Sequence, residues 1–395
     1  MEQTNKLSPD SLLVFILTIG VFGIINTEMG VIGILPLIAE KFHVTVPEAG
    51  WTVSVFALVV AVSAPVMPLL FSGINRKKVM LFALGMFTLS NLISMVTSNF
   101  MVLLIARALP AFLHPVYVSM AFTVAAASVS KEKAPKAVAK VFIGVSAGMV
   151  LGVPVTSYIA SEVSFEMGML FFTVVNMLVL IATIFFVPSM PVKERLSYGT
   201  QLNVLKKREV WYSIWAVTLI NGALFGFFSY MSDYLRTVTG VSYQIISMLL
   251  LVYGLANIVG NVFAGKQLAL NPIRCMVMIP MTLLLFYVAL FFLGGWLAVT
   301  VVIILILGIL AGSGQNTMQY MITESAFESP DFANGLYLLS ANLGTTIGAA
   351  VCGLFITVFN TRYSVLGSLL FLVISFVFIG LRIRVGQQQV QRVKS

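Results

Sequence analysis

Charged side chains are scarce in this chain. Only 9% of its 395 residues are Asp, Glu, Lys or Arg, against about a quarter in soluble domains. A chain so poor in charge and 59% hydrophobic is not a soluble globular protein; it is a polytopic membrane protein. Cysteine is almost as rare. Cys275 and Cys352 fall in or beside apolar stretches with no pairing pattern, which excludes a disulfide framework. With His43 and His114 as the sole histidines, far apart in the chain, no metal cluster and no cofactor are expected. The apolar stretches also lack the groupings an integral-membrane enzyme needs, such as H-E-x-x-H or Ser with Lys, so no catalytic residue is assigned and no enzymatic activity is expected. Charge rings and repeated filter motifs are missing too, which argues against a channel.

What the chain does have is a succession of apolar runs of membrane-spanning length. Twelve are expected, at about Leu12–Ala39, Gly50–Phe71, Val79–Val96, Met101–Ser128, Val138–Ala160 and Gly168–Val187, then Val210–Leu235, Ile245–Ala264, Cys275–Leu293, Ala298–Ile322, Gly335–Val358 and Tyr363–Leu381. The first run follows Lys6 and imitates the apolar core of a signal peptide. It is too long, has no small-residue cleavage site and precedes eleven more spans, so it is read as retained. The formal net charge of +9 sits in the short connections and points to orientation in a membrane, with no nucleic-acid partner. Of 23 Lys and Arg, all but Lys41, Arg236, Arg362 and the intramembrane Arg107 fall on one side, which places both termini in the cytoplasm.

The longest polar connection, Pro188–Glu209, divides the chain into an N-terminal bundle of six spans (1–187), a cytoplasmic linker (188–209) and a C-terminal bundle of six (210–395). Two such halves around a midplane site is the plan of a secondary transporter. No extramembrane domain is evident, which weighs against a non-transporting sensor.

Glu28 is the sole acid deep within an apolar run. Such residues face a bundle interior or a wet cavity because lipid cannot solvate them. Two readings fit: a carboxyl that loads and releases protons, or a structural carboxyl held by hydrogen bonds to neighbouring helices. The first is the default for an intramembrane acid. The fourth run carries Arg107, Pro110, His114 and Pro115. Arg107 and His114 lie seven apart on one helical face, and the prolines should kink the helix between them. Arg107 is the expected partner of Glu28, directly or through water, and would tune its proton affinity. His114 is either a satisfied hydrogen-bonder or a cavity residue. Small residues every fourth position, Gly144, Gly148 and Gly152 with Pro154, form a smooth ridge on the fifth run, and Gly344, Gly348 and Cys352–Gly353 form a similar one on the eleventh. Tight packing accounts for both; a rocking interface between the halves is the functional addition. Asp233 reads as a solvated acid at the outer edge of the seventh run, paired with Arg236.

Several of these segments resemble one family. Asn26-Thr-Glu-Met-Gly-Val-Ile-Gly-Ile-Leu-Pro36 is similar to the first-helix signature of major facilitator superfamily exporters of the drug:proton antiporter-1 group. Arg107-x-x-x-Ala111-x-x-His114-x-x-x-x-Ser119 resembles the fourth-helix pattern of its sugar and purine-nucleoside efflux branch, and Gly144 to Pro154 the fifth-helix antiporter motif. Ser229-Tyr230, Gly260-Asn-Val-Phe-Ala-Gly265 and Asn342-Leu-Gly344 resemble parts of helices seven, eight and eleven. The resemblance spans both halves.

The resemblance implies an all-α major facilitator fold of twelve transmembrane helices in two six-helix halves. It also implies export of a small organic solute (sugar, nucleoside or drug) in exchange for protons, by a monomer in the plasma or inner membrane. Cavity-lining helices one, four, seven and ten then select Glu28 and Arg107 for proton coupling, and His114, Asn221, Tyr230, Gln315, Asn316 and Gln319 for solute binding. Phe225, Phe228 and Met318 would form the apolar remainder. In the loop between helices two and three, Pro68-Leu-Leu-Phe-Ser-Gly-Ile-Asn-Arg-Lys77 keeps the basic Arg76 and Lys77 but has Ser72 where the family has an acid. Arg76 and Lys77 are expected either to dock on an acidic patch of Glu324, Glu328 and Asp331 or merely to enforce topology. Uptake by proton symport is the alternative direction, since residues alone do not set the gradient.

Overall fold

The computed structural model describes residues 9–130, 134–191, 201–328 and 330–394. It is helical throughout these residues. Twelve helices are long and apolar enough to cross a membrane: Ser11–Phe42, Val46–Ser63, Arg76–Val96, Phe100–Ala127, Lys140–Glu162, Phe165–Phe186, Arg208–Ser229, Tyr243–Ala264, Pro272–Leu293, Leu297–Ser325, Phe332–Val358 and Thr361–Val385. They are called spans one to twelve below. Helices form because lipid offers no partner for a bare backbone group, and a helix satisfies its own. Their starts are marked by short polar side chains that take up unpaired N–H groups: Asn75 accepts from Lys77, Asn99 from Met101 and Val102, Ser164 from Met167, and Asn271 from Arg274.

Breaks fall at proline and at positions with a tertiary reason. Span two stops at Ser63, short of the expected Phe71. Pro65 and Pro68 interrupt it, and a separate turn of helix covers Met67–Phe71. Span four breaks at Phe112–Leu113, between Pro110 and Pro115, as the prolines require. Span seven ends at Ser229 and gives way to a short helix, Met231–Tyr234, and a π turn, Leu235–Thr239, closed by Gly240 at φ 77°. Span five stays helical through Pro154.

Packing repeats across the two halves. Spans one and five, two and four, and three and six pack together in the first half; spans seven and eleven, eight and ten, and nine and twelve do so in the second. Span two then crosses to span eleven, and span eight to span five. Each of these pairs maps onto the other when six spans are added, so the halves form a pseudo-symmetric pair. Phe185, Phe292 and Leu354 lie exposed on the outside, where an apolar surface of this extent meets lipid.

Hydrogen bonds joining the halves gather on the side away from the termini. Ser232 donates to Ile32 O at 3.4 Å, Thr346 to Ser54 O at 3.3 Å, Ser247 to Ser157 at 3.1 Å, and Gln244 to Glu162 at 2.6 Å. The first has a covalent cause. Pro36 carries no N–H, so the carbonyl four residues earlier, that of Ile32, is free to accept.

The glycine ridges correct one expectation. A side chain on Gly144, Gly148 or Gly152 would drive into Thr18, Ile25 or Asn26, all on span one, and one on Gly344 or Gly348 into Thr218 or Gly222 on span seven. Both ridges therefore bind helices of their own half. The close approach between spans five and eight is Gly254 on Val150. Where backbone abuts backbone, a methyl has no room. Gly348→Ala is expected to cost about 1–3 kcal/mol and lower the unfolding temperature of the purified protein. Gly85→Ala, which meets nothing within 4 Å, should be neutral or gain up to about 1 kcal/mol.

Candidate functional site

The site is built around a flaw in span one. Its α-helix ends at Met29, Gly30–Ile34 tighten into a 3₁₀ turn, and helix resumes over Leu35–Phe42 with Pro36 in its first turn. Arg107 of span four answers this break. Its Nε donates to Thr52 O at 2.8 Å, and its two terminal nitrogens to Thr27 O and Glu28 O, each at 3.1 Å. The guanidinium also sits 5.1 Å from the centroid of the Phe56 ring. Its planar fork of donors suits three converging carbonyls as an ammonium would not.

Arg107 thus engages the Glu28 backbone rather than its carboxylate, contrary to expectation. The carboxylate meets His114, whose Nε2 lies 3.0 Å from Glu28 Oε2. Distance fits an ion pair, but the imidazole is not aligned for a directed hydrogen bond. Glu28, Arg107 and His114 are all buried, and His114 packs edge-on against the same Phe56 ring. Arg107 and His114 do share a face, as their spacing implied. On the opposite side Thr27 is held by Asn176 at 3.0 Å and Asn91 at 3.2 Å. These two asparagines escaped the sequence reading because nothing in spans three and six sets them apart from ordinary packing residues.

The remaining expected site residues separate. Asn221 is buried and donates to Thr345 at 2.9 Å and to Ala341 O. Tyr230 is buried, donates to Ala349 O at 3.0 Å and fills the space left by Gly50 and Gly353. Both fasten span seven to span eleven and do not line the cleft. Met318 is fully buried in the core. Asn316 turns to Asn261 of span eight. Gln319 is half-buried.

Gln315, Phe225 and Phe228 do face a cleft between the halves, closed on the other side by Met29, Met149 and Val150. It encloses about 390 Å³ of space, part of it open to solvent. Span eight adds Tyr253 and Asn257, which the choice of helices one, four, seven and ten left out. Tyr253 stacks on Phe228 with ring centroids 4.8 Å apart.

At the face bearing the termini, the loop between spans two and three docks on the end of span six. Arg76 N–H donates to Met190 O at 3.1 Å, and Lys77 Nζ to Ile184 O at 2.9 Å. The acids expected to receive this pair have other partners: Glu324 bonds Arg382, and Glu328 lies 2.9 Å from Lys207 of the linker. The Asp331 side chain lies outside the described residues.

A model of the Major Facilitator Superfamily matches residues 17–331. The chain belongs to that superfamily. It is 27% identical over 337 residues to the inner membrane transport protein YdhP of Escherichia coli (strain K12), covering 85% of this chain and 87% of that one. It is 30% identical over 363 residues to an uncharacterized MFS-type transporter, YtbD, of Bacillus subtilis (strain 168), covering 89% and 90%. Its fold is similar to a crystal structure of a bacterial homolog of the human lysosomal transporter Spinster, inward-facing and unoccupied, with a TM-score of 0.76, 16% identity and coverage of 97% and 98%. It is likewise similar to the nucleoside transporter NupG, with a TM-score of 0.77, 13% identity and coverage of 95% and 99%. The major facilitator fold implied by the resemblance is the fold observed.

Asp233 departs from its expected role as a solvated partner of Arg236. It lies beyond the end of span seven and is 5% exposed, with its carboxylate accepting from Thr361 Oγ1 at 2.7 Å. Arg236 instead lies over the Tyr243 ring, 4.6 Å from its centroid. Burial pushes the Asp233 carboxyl above its ordinary range, and the Thr361 hydrogen bond opposes this in part. The folded protein therefore keeps this proton at pH values where the unfolded chain has lost it. The associated stability is full below about pH 4, the ordinary aspartate value, and is lost as pH rises through the higher folded value. Asp233→Asn should flatten the fall in melting temperature over this window relative to the unaltered protein, as read by thermal unfolding across a pH series.

Proposed function

We propose that this chain is a proton-coupled exporter of a small organic solute, working by alternating-access antiport as in the drug:proton antiporter-1 group, with sugars, nucleosides and drugs as the solute classes. The observation that carries the reading is the buried Glu28–His114 pair, 3.0 Å apart, beside the break in span one. Met29, the next residue, lines the cleft between the halves. Glu28 is the proton-carrying carboxyl. His114, first placed among the solute contacts, is its exchange partner, and Arg107 holds the broken helix in the shape that presents both. Gln315 and Gln319 remain on the solute side.

Residues 1–187 and 210–395 are the two bodies that rock, joined by the linker 188–209, with both termini in the cytoplasm of a cell whose plasma or inner membrane holds the protein as a monomer. Rocking exposes the cleft to alternate sides, so Glu28 takes up a proton on the outside as solute leaves and releases it within as the next solute binds. The contacts of Ser232, Thr346, Ser247 and Gln244 are then the outer gate, and must part for release.

Glu28→Gln keeps the shape but cannot carry a proton. In proteoliposomes with an imposed pH gradient, gradient-driven movement of a solute found by screening sugars, nucleosides and lipophilic drugs should collapse to the gradient-free level. Solute exchange without a gradient should continue. Undiminished gradient-driven accumulation in this variant would overturn the coupling role. Solute and protons moving in the same direction would instead support uptake by symport.

A further inference from the structure

A second set of polar groups, half-buried at Asn316 and Asn261 and buried at Asn257, runs along spans eight and ten and ends at the cleft. Asn316 Nδ2 donates both to the Asn261 backbone carbonyl, at 3.1 Å, and to Asn261 Oδ1, at 2.8 Å. Asn261 Nδ2 in turn donates to the Asn257 backbone carbonyl at 3.1 Å and to Asn257 Oδ1 at 2.9 Å. Amide oxygen and nitrogen are assigned from such networks, and here the backbone decides. A main-chain carbonyl only accepts, so the atom of Asn316 and of Asn261 facing it must be nitrogen. The oxygens of Asn261 and Asn257 then each accept one bond from the previous residue, which fixes the orientation of both amides.

The direction of the column follows. Each amide donates toward the cleft, and Asn257 at its end is left with an NH₂ group bonded to no group among the described residues. Linked amides polarise one another in the same sense, which strengthens the terminal donor. Asn257 cannot rotate to offer its oxygen without breaking the bond from Asn261. Gln315, also in the cleft, makes no hydrogen bond among the described residues and is free to present either end. The polar end of the cleft is therefore fixed as a donor at one point and adaptable at another.

The rest of the lining is aromatic and apolar. Phe228 and Tyr253 are stacked at an interplanar angle of 20°, Phe225 meets Phe228 edge-on, and Met29 and Met149 face them from the other half. Lining residues carry no charge, so an ion would enter without a counter-charge, which is costly. Flat rings suit this wall, and thioethers adapt to irregular ring edges.

We propose that Asn257 is a solute-binding donor that sets specificity, and that the cleft takes a flat, uncharged organic solute bearing a carbonyl-type acceptor. This rests on the reading of the cleft as the solute site. Asn261 and Asn316 are positioning residues: they touch no solute and hold the Asn257 amide in its donor orientation.

The test uses full-length protein in lipid nanodiscs and two tritiated probes, fluorenone and fluorene, which share a flat tricyclic frame and differ by a carbonyl in place of a methylene. Binding is measured at fixed pH, with counts from empty nanodiscs subtracted. One net hydrogen bond corresponds to roughly a fivefold preference for fluorenone in the unaltered protein. Asn257→Leu should bring the ratio to about one while fluorene still binds. Asn261→Leu frees the Asn257 amide to rotate and should reduce the ratio, although Asn261 does not line the cleft. Tyr253→Leu should weaken both probes together and leave their ratio intact. Equal binding of the probes by the unaltered protein overturns the proposal, as does a ratio preserved in Asn257→Leu or the lack of saturable binding of either probe. Should Asn257→Leu fail to fold, the ratios of the unaltered protein and of Asn261→Leu still decide. No proton gradient enters this measurement, so its result stands apart from that of the proteoliposome experiment.

Discussion

The structure depends on how one arginine disposes of three carbonyl oxygens. Span one cannot remain a regular helix through Gly30–Ile34 and still resume at Pro36, and a distorted helix in lipid leaves carbonyls that water would otherwise satisfy. Arg107 gathers two of them and a third from span two. In doing so it ties spans one, two and four at one point. A buried guanidinium in this setting is costly unless its donors are used, and here all three nitrogens are. The carboxylate of Glu28 is thereby left to His114, one residue from Met29 of the cleft wall, rather than held in a salt bridge with Arg107.

A division of labour between the halves follows. In the first half, polar groups converge on the distorted span: Arg107 and His114 from one side, Asn91 and Asn176 from the other. In the second half, the corresponding polar residues run along spans eight and ten as an oriented column of amides. The two polar systems approach the same cleft from opposite halves, one ionisable and one neutral. In the proposed mechanism proton and solute are therefore recognised by different chemistry on bodies that move relative to each other. Tight glycine seams within each half, span five on span one and span eleven on span seven, let those bodies act as units. Between the halves, hydroxyl and amide bonds accompany the packing of span two on span eleven and of span five on span eight.

Much of this was legible in the residues. Scarce charge and the lengths of the apolar runs carried the twelve spans and the two halves. Pro110 and Pro115 announced the break in span four, and Glu28, Arg107 and His114 stood out because lipid makes an ionisable residue costly wherever it is not needed. The errors share a cause. Asn221 and Tyr230 were placed in the cleft because span seven faces it, but a helix has a back as well as a front, and both residues lie on the side that meets span eleven. The glycine ridges were correctly read as close-packing surfaces. Which helix they meet depends on rotation about the helix axis, and spacing alone does not carry that.

By itself, then, the sequence determined that this chain lies in a membrane, how many times it crosses, that span four breaks between its prolines and that Glu28, Arg107 and His114 are buried. Each of these follows from local composition against a solvent that cannot hydrogen-bond. Only the tertiary structure decided which groups meet. Arg107 rather than solvent caps the break in span one, His114 rather than Arg107 faces the Glu28 carboxylate, and Asn257 at the cleft accepts from Asn261, which Asn316 holds from behind. Those pairings depend on the relative rotation of helices distant in the chain, which is set by packing over the whole bundle and leaves no mark on any single segment.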